Sequence, residues 1–207
     1  MERFFWYDCS MDKKTIETYN AAAKAYDEET AEFWDIFPDT FIRAFAESVK
    51  GKVLDVGSGP GRDALILQKT GLEVMCLDAS SAMVEITKQK GLASVLGDFN
   101  TIPFPNETFD GVWAYTSLLH VPKAEVGKSL QEIQRVLKKG GVLGVGLIEG
   151  ETEGYVESAS MNLPRYFAYY TKEEVEKLLQ RYGFTTFFFE TFKPRSKNYL
   201  HFLARVV

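Results

Sequence analysis

The run Val53-Leu54-Asp55-Val56-Gly57-Ser58-Gly59-Pro60-Gly61 places three glycines at alternate positions directly after a short apolar stretch. Such a run suits a buried strand turning into a helix, the place at which open parallel sheets bind ligands. Glycine there lets a ligand approach the backbone, because no Cβ intervenes. The spacing narrows the ligand. A dinucleotide fingerprint needs glycine at the first, third and sixth positions, and the sixth here is Arg62. A P-loop needs a lysine followed by serine or threonine to close the glycine run, and none is present, which argues against nucleoside triphosphates.

Two acidic positions extend the pattern. Asp78 ends the run Glu73-Val74-Met75-Cys76-Leu77-Asp78. A carboxylate at the carboxyl end of a strand can accept hydrogen bonds from both hydroxyls of an adenosine ribose. Gly97-Asp98-Phe99 follows the next apolar run, where the carboxylate can accept from an adenine amine while the ring packs nearby. Three successive strand ends thus describe one adenosine. Asp55, on the strand itself, can either touch that ligand or organise the loop from a buried position.

The elements that must hold these residues alternate in type. Short apolar runs suited to buried strands fall at about 52–57, 73–78, 93–96, 109–115 and 142–148. Between them, segments of helical periodicity fall at about 62–70, 80–89 and 123–138, with turn signals at Gly71, Gly91 and Gly140-Gly141. This alternation predicts an α/β fold with a parallel sheet covered on both faces. Upstream, a helix is expected from Met11 to about Glu32, with Tyr19, Ala22, Ala23 and Tyr26 on one face. A second follows Pro38 and buries Phe41, Ile42 and Phe45. The tail departs from the alternation: a helix at 172–182 precedes two strand-like runs, Phe184 to Phe192 and Tyr199 to Val206, joined closely enough at Pro194 that they must pair antiparallel.

Bulk properties set limits. At 207 residues the chain suits one well-packed domain, and 45% hydrophobic with 26% charged residues lies in the ordinary globular range. A net charge of −5 supplies no footprint for nucleic acid. Cys9 and Cys76 form no metal-ligand or disulfide spacing, so no metal is expected and a reduced, cytoplasmic setting is. Phe4-Phe5-Trp6-Tyr7 is too short for the core of a signal peptide, and no run approaches the roughly 18 apolar residues that span a bilayer. A monomer that keeps clear of membranes is the simplest expectation.

Together, Val53 to Gly61, Asp78, Gly97-Asp98, Phe109-Asp110-Gly111-Val112 and Arg135-Val136-Leu137-Lys138-Lys139-Gly140-Gly141 resemble the class I, Rossmann-like S-adenosylmethionine-dependent methyltransferases, over residues 15 to 205. The resemblance implies a seven-stranded, mostly parallel sheet with an antiparallel hairpin at its end. It implies S-adenosylmethionine as methyl donor, S-adenosylhomocysteine as product and direct in-line displacement. Gly57, Ser58 and Gly59 would then face the methionine part, with Gly61 completing the turn. Asp78, followed by Ala79 and Met83, would hold the ribose; Gly97, Asp98 and Phe99 the adenine; Ala114 and Tyr115 the region beside the sulfonium. Ser58 and Pro60 stand where relatives often carry cysteine or threonine, and Lys139 replaces a common proline. One domain over 1–207 is expected, divided into an N-terminal helical lid (1–50), a cofactor-binding core (51–149), a substrate-lid insertion (150–170) and a C-terminal helix and hairpin (171–207).

Other residues have two readings each. Arg62 can meet the cofactor carboxylate or pair with a surface acid, and Asp63 suits the positive end of a helix. His120, in a place where this family often carries histidine, can act as general base or anchor its loop. Tyr19 and Tyr26 lie seven positions apart on one helical face. They can be core residues, or the lid over the methyl group that the resemblance implies, since aromatic faces favour a sulfonium cation. His201, in the last strand, reads as structural. The segment from Glu149 to Tyr170 is expected to be an irregular, substrate-contacting loop presenting Tyr155, Arg165, Tyr166 and Tyr169. The acceptor is expected to be a small molecule. Protein or tRNA methylation, a non-catalytic S-adenosylmethionine-binding subunit and a nicotinamide oxidoreductase are the alternatives.

Overall fold

The computed structural model describes residues 12–31, 37, 39–157 and 163–207. The apolar N-terminal patch, Cys9, the expected helix ends at Met11 and Glu32, Pro38 and the middle of the 150–170 segment lie outside the described residues. Helix α1 (Lys13–Glu29) begins at Asp12, whose side chain accepts from the Thr15 amide at 2.8 Å and so satisfies one of the first-turn donors. Helix α2 (Asp39–Ser48) buries Phe41, Ile42 and Phe45.

Then the alternation begins: β1 (Lys52–Val56), α3 (Arg62–Lys69), β2 (Glu73–Asp78), α4 (Ser81–Gln89), β3 (Ala93–Leu96), β4 (Phe109–Tyr115), α5 (Val126–Val136) and β5 (Leu137–Ile148). The chain continues through β6 (Glu153–Glu157), β7 (Pro164–Ala168), α6 (Lys172–Arg181), β8 (Phe184–Phe192) and β9 (Tyr199–Val206). Helix α6 starts with a reciprocal cap between Thr171 and Glu174.

Seven strands form one sheet in the order β3-β2-β1-β4-β5-β9-β8. The pairs from β3 to β5 are parallel, while β9 runs antiparallel to both β5 and β8. The fold is therefore the α/β sheet with a C-terminal antiparallel hairpin that the sequence predicts. Strand order reverses between β1 and β4, which opens a crevice at their carboxyl ends.

Alternation of side chains assigns each face of the sheet its helices. Leu54, Val56, Val112, Ala114, Leu143 and Val145 pack with α5 and α6. Val53, Trp113, Tyr115, Val142 and Leu203 pack with α2 and α3. On the second face the Trp113 ring lies 4.7 Å from Phe41 and 4.9 Å from Phe45 by centroid. Burial of each phenylalanine contributes about 1.5–3 kcal/mol.

Two expectations are corrected. The helix expected at 123–138 stops at Val136, and the strand expected at 142–148 already starts at Leu137. Leu137 is extended and pairs with Phe109, while the amides of Glu107 and Thr108 take the helix-terminal carbonyls of Arg135 and Val136. The 149–170 segment is also less irregular than expected, because β6 and β7 form a two-stranded antiparallel ribbon with Tyr155 opposite Tyr166. That ribbon is fastened to α1: Thr18 Oγ1 donates to the Pro164 carbonyl at 2.7 Å, and the Tyr166 amide donates to Thr15 Oγ1 at 2.8 Å.

Candidate active site

The loop after β1 is built from backbone bonds. The amides of Gly57 and Ser58 both donate to the Leu77 carbonyl, at 2.7 and 3.1 Å, so the loop is tied to β2. Gly57 has φ of 69°, and a Cβ there would meet Cβ of Ser117 at 2.4 Å. Gly59 has φ of 52° but faces open space, its nearest neighbour being Tyr26 Cε1 at 4.0 Å. Packing therefore demands glycine at 57, whereas 59 leaves a bare stretch of backbone facing a cavity.

That cavity has a volume of about 460 Å³ and lies at the carboxyl ends of β1, β2 and β4, within the size range of small-molecule sites. Its floor carries Asp55, Ser58, Asp63 and Asp78. Asp78 accepts from the Gly59 amide through Oδ2 and from the Ser80 amide through Oδ1, each at 2.8 Å. Each oxygen keeps acceptor capacity for a ligand. Burial pushes the Asp78 carboxyl up to about 6, against the pull of those amides. Burial likewise pushes Asp63 up to about 7, although Trp113 Nε1 donates to it at 2.7 Å. Asp55 is raised well above the carboxylate range by burial and by the nearby charges of Asp63 and Asp78. Among the described residues, Asp55 Oδ2 and Ser117 Oγ are buried without a hydrogen-bond partner. Such groups are costly unless a ligand satisfies them.

Tyr19 and Tyr26 of α1 form the roof, edge to face at 5.3 Å. Helix α1 is also held to the start of α4, where Asn20 Oδ1 accepts from Ser80 Oγ at 2.8 Å and from the Ala82 amide at 3.1 Å. Beneath the roof, His120 ends a short 3₁₀ turn, Leu118–His120. Its Nδ1 lies 2.6 Å from the Tyr166 carbonyl, which can only accept, so this nitrogen carries the proton. Nε2 is then the acceptor for the Tyr19 hydroxyl at 2.8 Å. Burial, reinforced by the charges of Arg165 and Lys197, pushes the His120 imidazole down to about 3. It is a neutral ring whose lone pair is already engaged, which suits a positioning residue better than a general base.

The cavity gathers Tyr19, Tyr26, Asp55, Gly57, Ser58, Gly59, Arg62, Asp78, Ala79, Met83, Phe99, Tyr115 and His120 from the expected set. Gly61, Gly97, Asp98, Ala114, Tyr155, Arg165, Tyr166 and Tyr169 are not among its lining residues. Gly61 abuts Leu92 at the start of α3, and Gly97 abuts Leu77. Asp98 Oδ1 accepts from the Asn100 amide at 2.9 Å. Ala114 points to the sheet face opposite Tyr115. Tyr155 is exposed and donates to Asp12 at 2.5 Å, Tyr166 contributes its carbonyl, and Tyr169 stacks on Phe167. Arg165 reaches Tyr19 Oη at 3.0 Å.

Arg62 Nη2 is tied to the main chain of Asp27 and, at 2.7 Å, to its carboxylate, which favours the ion-pair reading. Tyr115 Oη and His201 Nε2 lie 3.2 Å apart, and His201 Nδ1 meets Glu190 at 3.1 Å, a structural role for this histidine. The cavity also takes in Asp63, Thr116, Ser117 and Tyr199, which sequence reasoning did not assign to the site. Thr116 has φ of 49°, unusual for a β-branched residue, and no local sequence signal announces it.

Residues 54–145 match the family model of a methyltransferase domain. The chain is similar to a sterol 24-C-methyltransferase of Gibberella zeae, 41% identical over 103 residues, which is 45% of this chain and 27% of that protein. It spans about a third or less of the first curated relatives it matches. An uncharacterized methyltransferase of Anoxybacillus flavithermus is 25% identical over 196 residues, 87% of this chain and 89% of that one. The fold is shared with the Burkholderia thailandensis 1,6-didemethyltoxoflavin-N1-methyltransferase, whose crystal structure holds 1,6-didemethyltoxoflavin and S-adenosylhomocysteine. The TM-score is 0.70 at 19% identity, covering 92% of this chain and 88% of that one. The matched segment, 54–145, carries the glycine loop and Asp78, and it lies within a seven-stranded sheet of the kind those methyltransferases share.

Proposed function

We propose that this protein transfers a methyl group from S-adenosylmethionine to a small-molecule acceptor by direct in-line displacement. One observation carries the reading: bare backbone at Gly59 and the unfilled acceptor capacity of Asp78 face the same cavity as the acidic floor. The residues present fit the cofactor. A ligand bearing an ammonium and a sulfonium relieves the crowding among Asp55, Asp63 and Asp78, and its hydroxyls occupy Asp78.

When bound, S-adenosylmethionine supplies an activated methyl group on sulfur. The protein's own part is placement. Asp78 orients the ribose, and Phe99 and Met83 offer apolar surface to the base. Tyr19 and Tyr26 present aromatic surface, which favours a cation. Holding two reactants in line can supply several kcal/mol without a protein nucleophile. His120 keeps Tyr19 in place, and the acceptor arrives with its nucleophilic atom already competent.

A small acceptor is supported by the way α1, braced by the β6–β7 ribbon, covers the cavity with Tyr19 and Tyr26. In this reading the chain acts as one monomeric domain in the cytoplasm, where the buried free thiol of Cys76 stays reduced. Among the described residues no helix is long and apolar enough to cross a membrane. Incubation with methyl-labelled S-adenosylmethionine and a fractionated cell extract tests the reading. Label should pass to a low-molecular-weight product; label confined to protein or RNA, or no transfer to any fraction, overturns it.

A further inference from the structure

Arg165 and Lys197 approach one aromatic ring from separate parts of the chain. Arg165 Cζ lies 5.1 Å and Lys197 Nζ 5.3 Å from the centroid of Phe167. Phe167 packs against His120 at 4.9 Å, so both cations stand at the Tyr19–His120 end of the cavity, and Lys197 lines it directly.

Neither cation takes part in any ion pair among the described residues. Arg165 is held in position by its bond to Tyr19 Oη and by the faces of Tyr19 and Tyr26, at 5.4 and 5.9 Å, yet its buried Nε has no partner among the described residues. Lys197 lies exposed on its turn, and partial burial together with the charge of Arg165 lowers its pKa. Two like charges beside one ring, with no carboxylate paired to either among the described residues, favour an added negative charge nearby.

The acidic floor is not that charge. No ion pair joins Asp55, Asp63 or Asp78 to Arg165 or Lys197. The cavity thus has an acidic floor suited to the cationic donor and, elsewhere, Lys197 on its wall with Arg165 behind Tyr19.

We infer that Arg165 and Lys197 form a subsite for an anionic group, a carboxylate or a phosphate, on the methyl acceptor; this rests on the methyltransferase reading. A guanidinium offers forked donors to either anion, and the ammonium adds a point charge. Arg195, which also lines the cavity, adds positive potential.

The test uses the full chain saturated with S-adenosylhomocysteine and titrated with inorganic phosphate or with acetate at constant ionic strength, read by amide chemical shifts of residues 164–168 and 195–197. At least one anion should bind saturably with the product in place. Lys197→Met, on a turn where substitution does not disturb the core, should weaken that binding at least tenfold. Arg165→Lys should retain more of it than Arg165→Met.

Binding that S-adenosylhomocysteine abolishes would assign the cations to the cofactor's own carboxylate and overturn the proposal. Saturable binding unchanged in Lys197→Met would do the same, as would no saturable binding of either anion. If S-adenosylhomocysteine itself fails to bind, the methyltransferase reading falls first. A second readout is the product labelled from the extract, which should be retained on an anion exchanger; a neutral or cationic product overturns the subsite alone.

Discussion

The hydroxyl of Tyr19 donates to Nε2 of His120 across 2.8 Å, and this one bond joins the first helix to the loop after β4. It exists only while the imidazole is neutral. With a folded value of about 3 against an ordinary 6.5, the ring binds fewer protons in the folded state over that interval. Its contribution to stability is complete above about 6.5 and declines as pH falls toward 3. Nitrogen-15 NMR of the imidazole should show the neutral, Nδ1-protonated tautomer throughout pH 5.5–8. Protonation with a midpoint near 6.5 would refute this, and a His120-dependent step in the rate profile would restore the general base.

The carboxyl groups of Asp63 and Asp78 behave in the opposite sense. Their folded values, about 7 and about 6, lie above the ordinary 3.8, so they stabilise the ligand-free fold at low pH and lose that effect as pH rises through 6 to 7. A cationic ligand favours the ionised forms. S-adenosylmethionine binding should therefore release protons near pH 6 and tighten between pH 5.5 and 7.5. Calorimetry in two buffers of different ionisation enthalpy measures the release, and identical heats would contradict the arrangement.

Asp78→Ala removes a charged acceptor from two expected ribose hydroxyls and unties Gly59 and Ser80. Affinity for S-adenosylmethionine should fall by at least about 1 kcal/mol, roughly fivefold or more. Unchanged affinity by calorimetry would remove Asp78 from the site.

Gly57 and Gly59 should separate stability from binding. In Gly57→Ala the new methyl must displace Ser117, and the positive φ adds strain, so the melting temperature should drop markedly. Gly59→Ala incurs only the backbone cost of about 1 kcal/mol, but its methyl projects into the space a ligand needs. Its signature is a fold close to wild type with a much smaller thermal shift from S-adenosylmethionine.

The sheet was legible because each parallel strand is a short buried run with a turn signal behind it, as at Gly71 and Gly91. The ribbon was not: β6 reads Glu153-Gly154-Tyr155-Val156-Glu157, is mostly exposed, and lacks the apolar alternation that marks a half-buried strand. In the site, the loop and Asp78 were readable from position alone. Placing Ala114 and Tyr115 together beside the sulfonium ignored the two-residue period of a strand, which sends them to opposite faces. Asp63 was read as a helix-end charge because nothing local reveals that Trp113, fifty residues away, turns it toward the cavity. The engagement of His120 has the same origin, since Tyr19 and Tyr166 are each distant in sequence.

The fastening of α1 to β7 through Thr15 and Thr18 joins segments 146 positions apart at the Thr18–Pro164 bond. Neither segment is therefore a portable module. Grafting only the ribbon of a relative onto this chain, to redirect it toward another acceptor, would leave the first helix without its receiving carbonyl and amide. A chimera that exchanges both ends together preserves the seam, and specificity in this scaffold should travel as a matched pair.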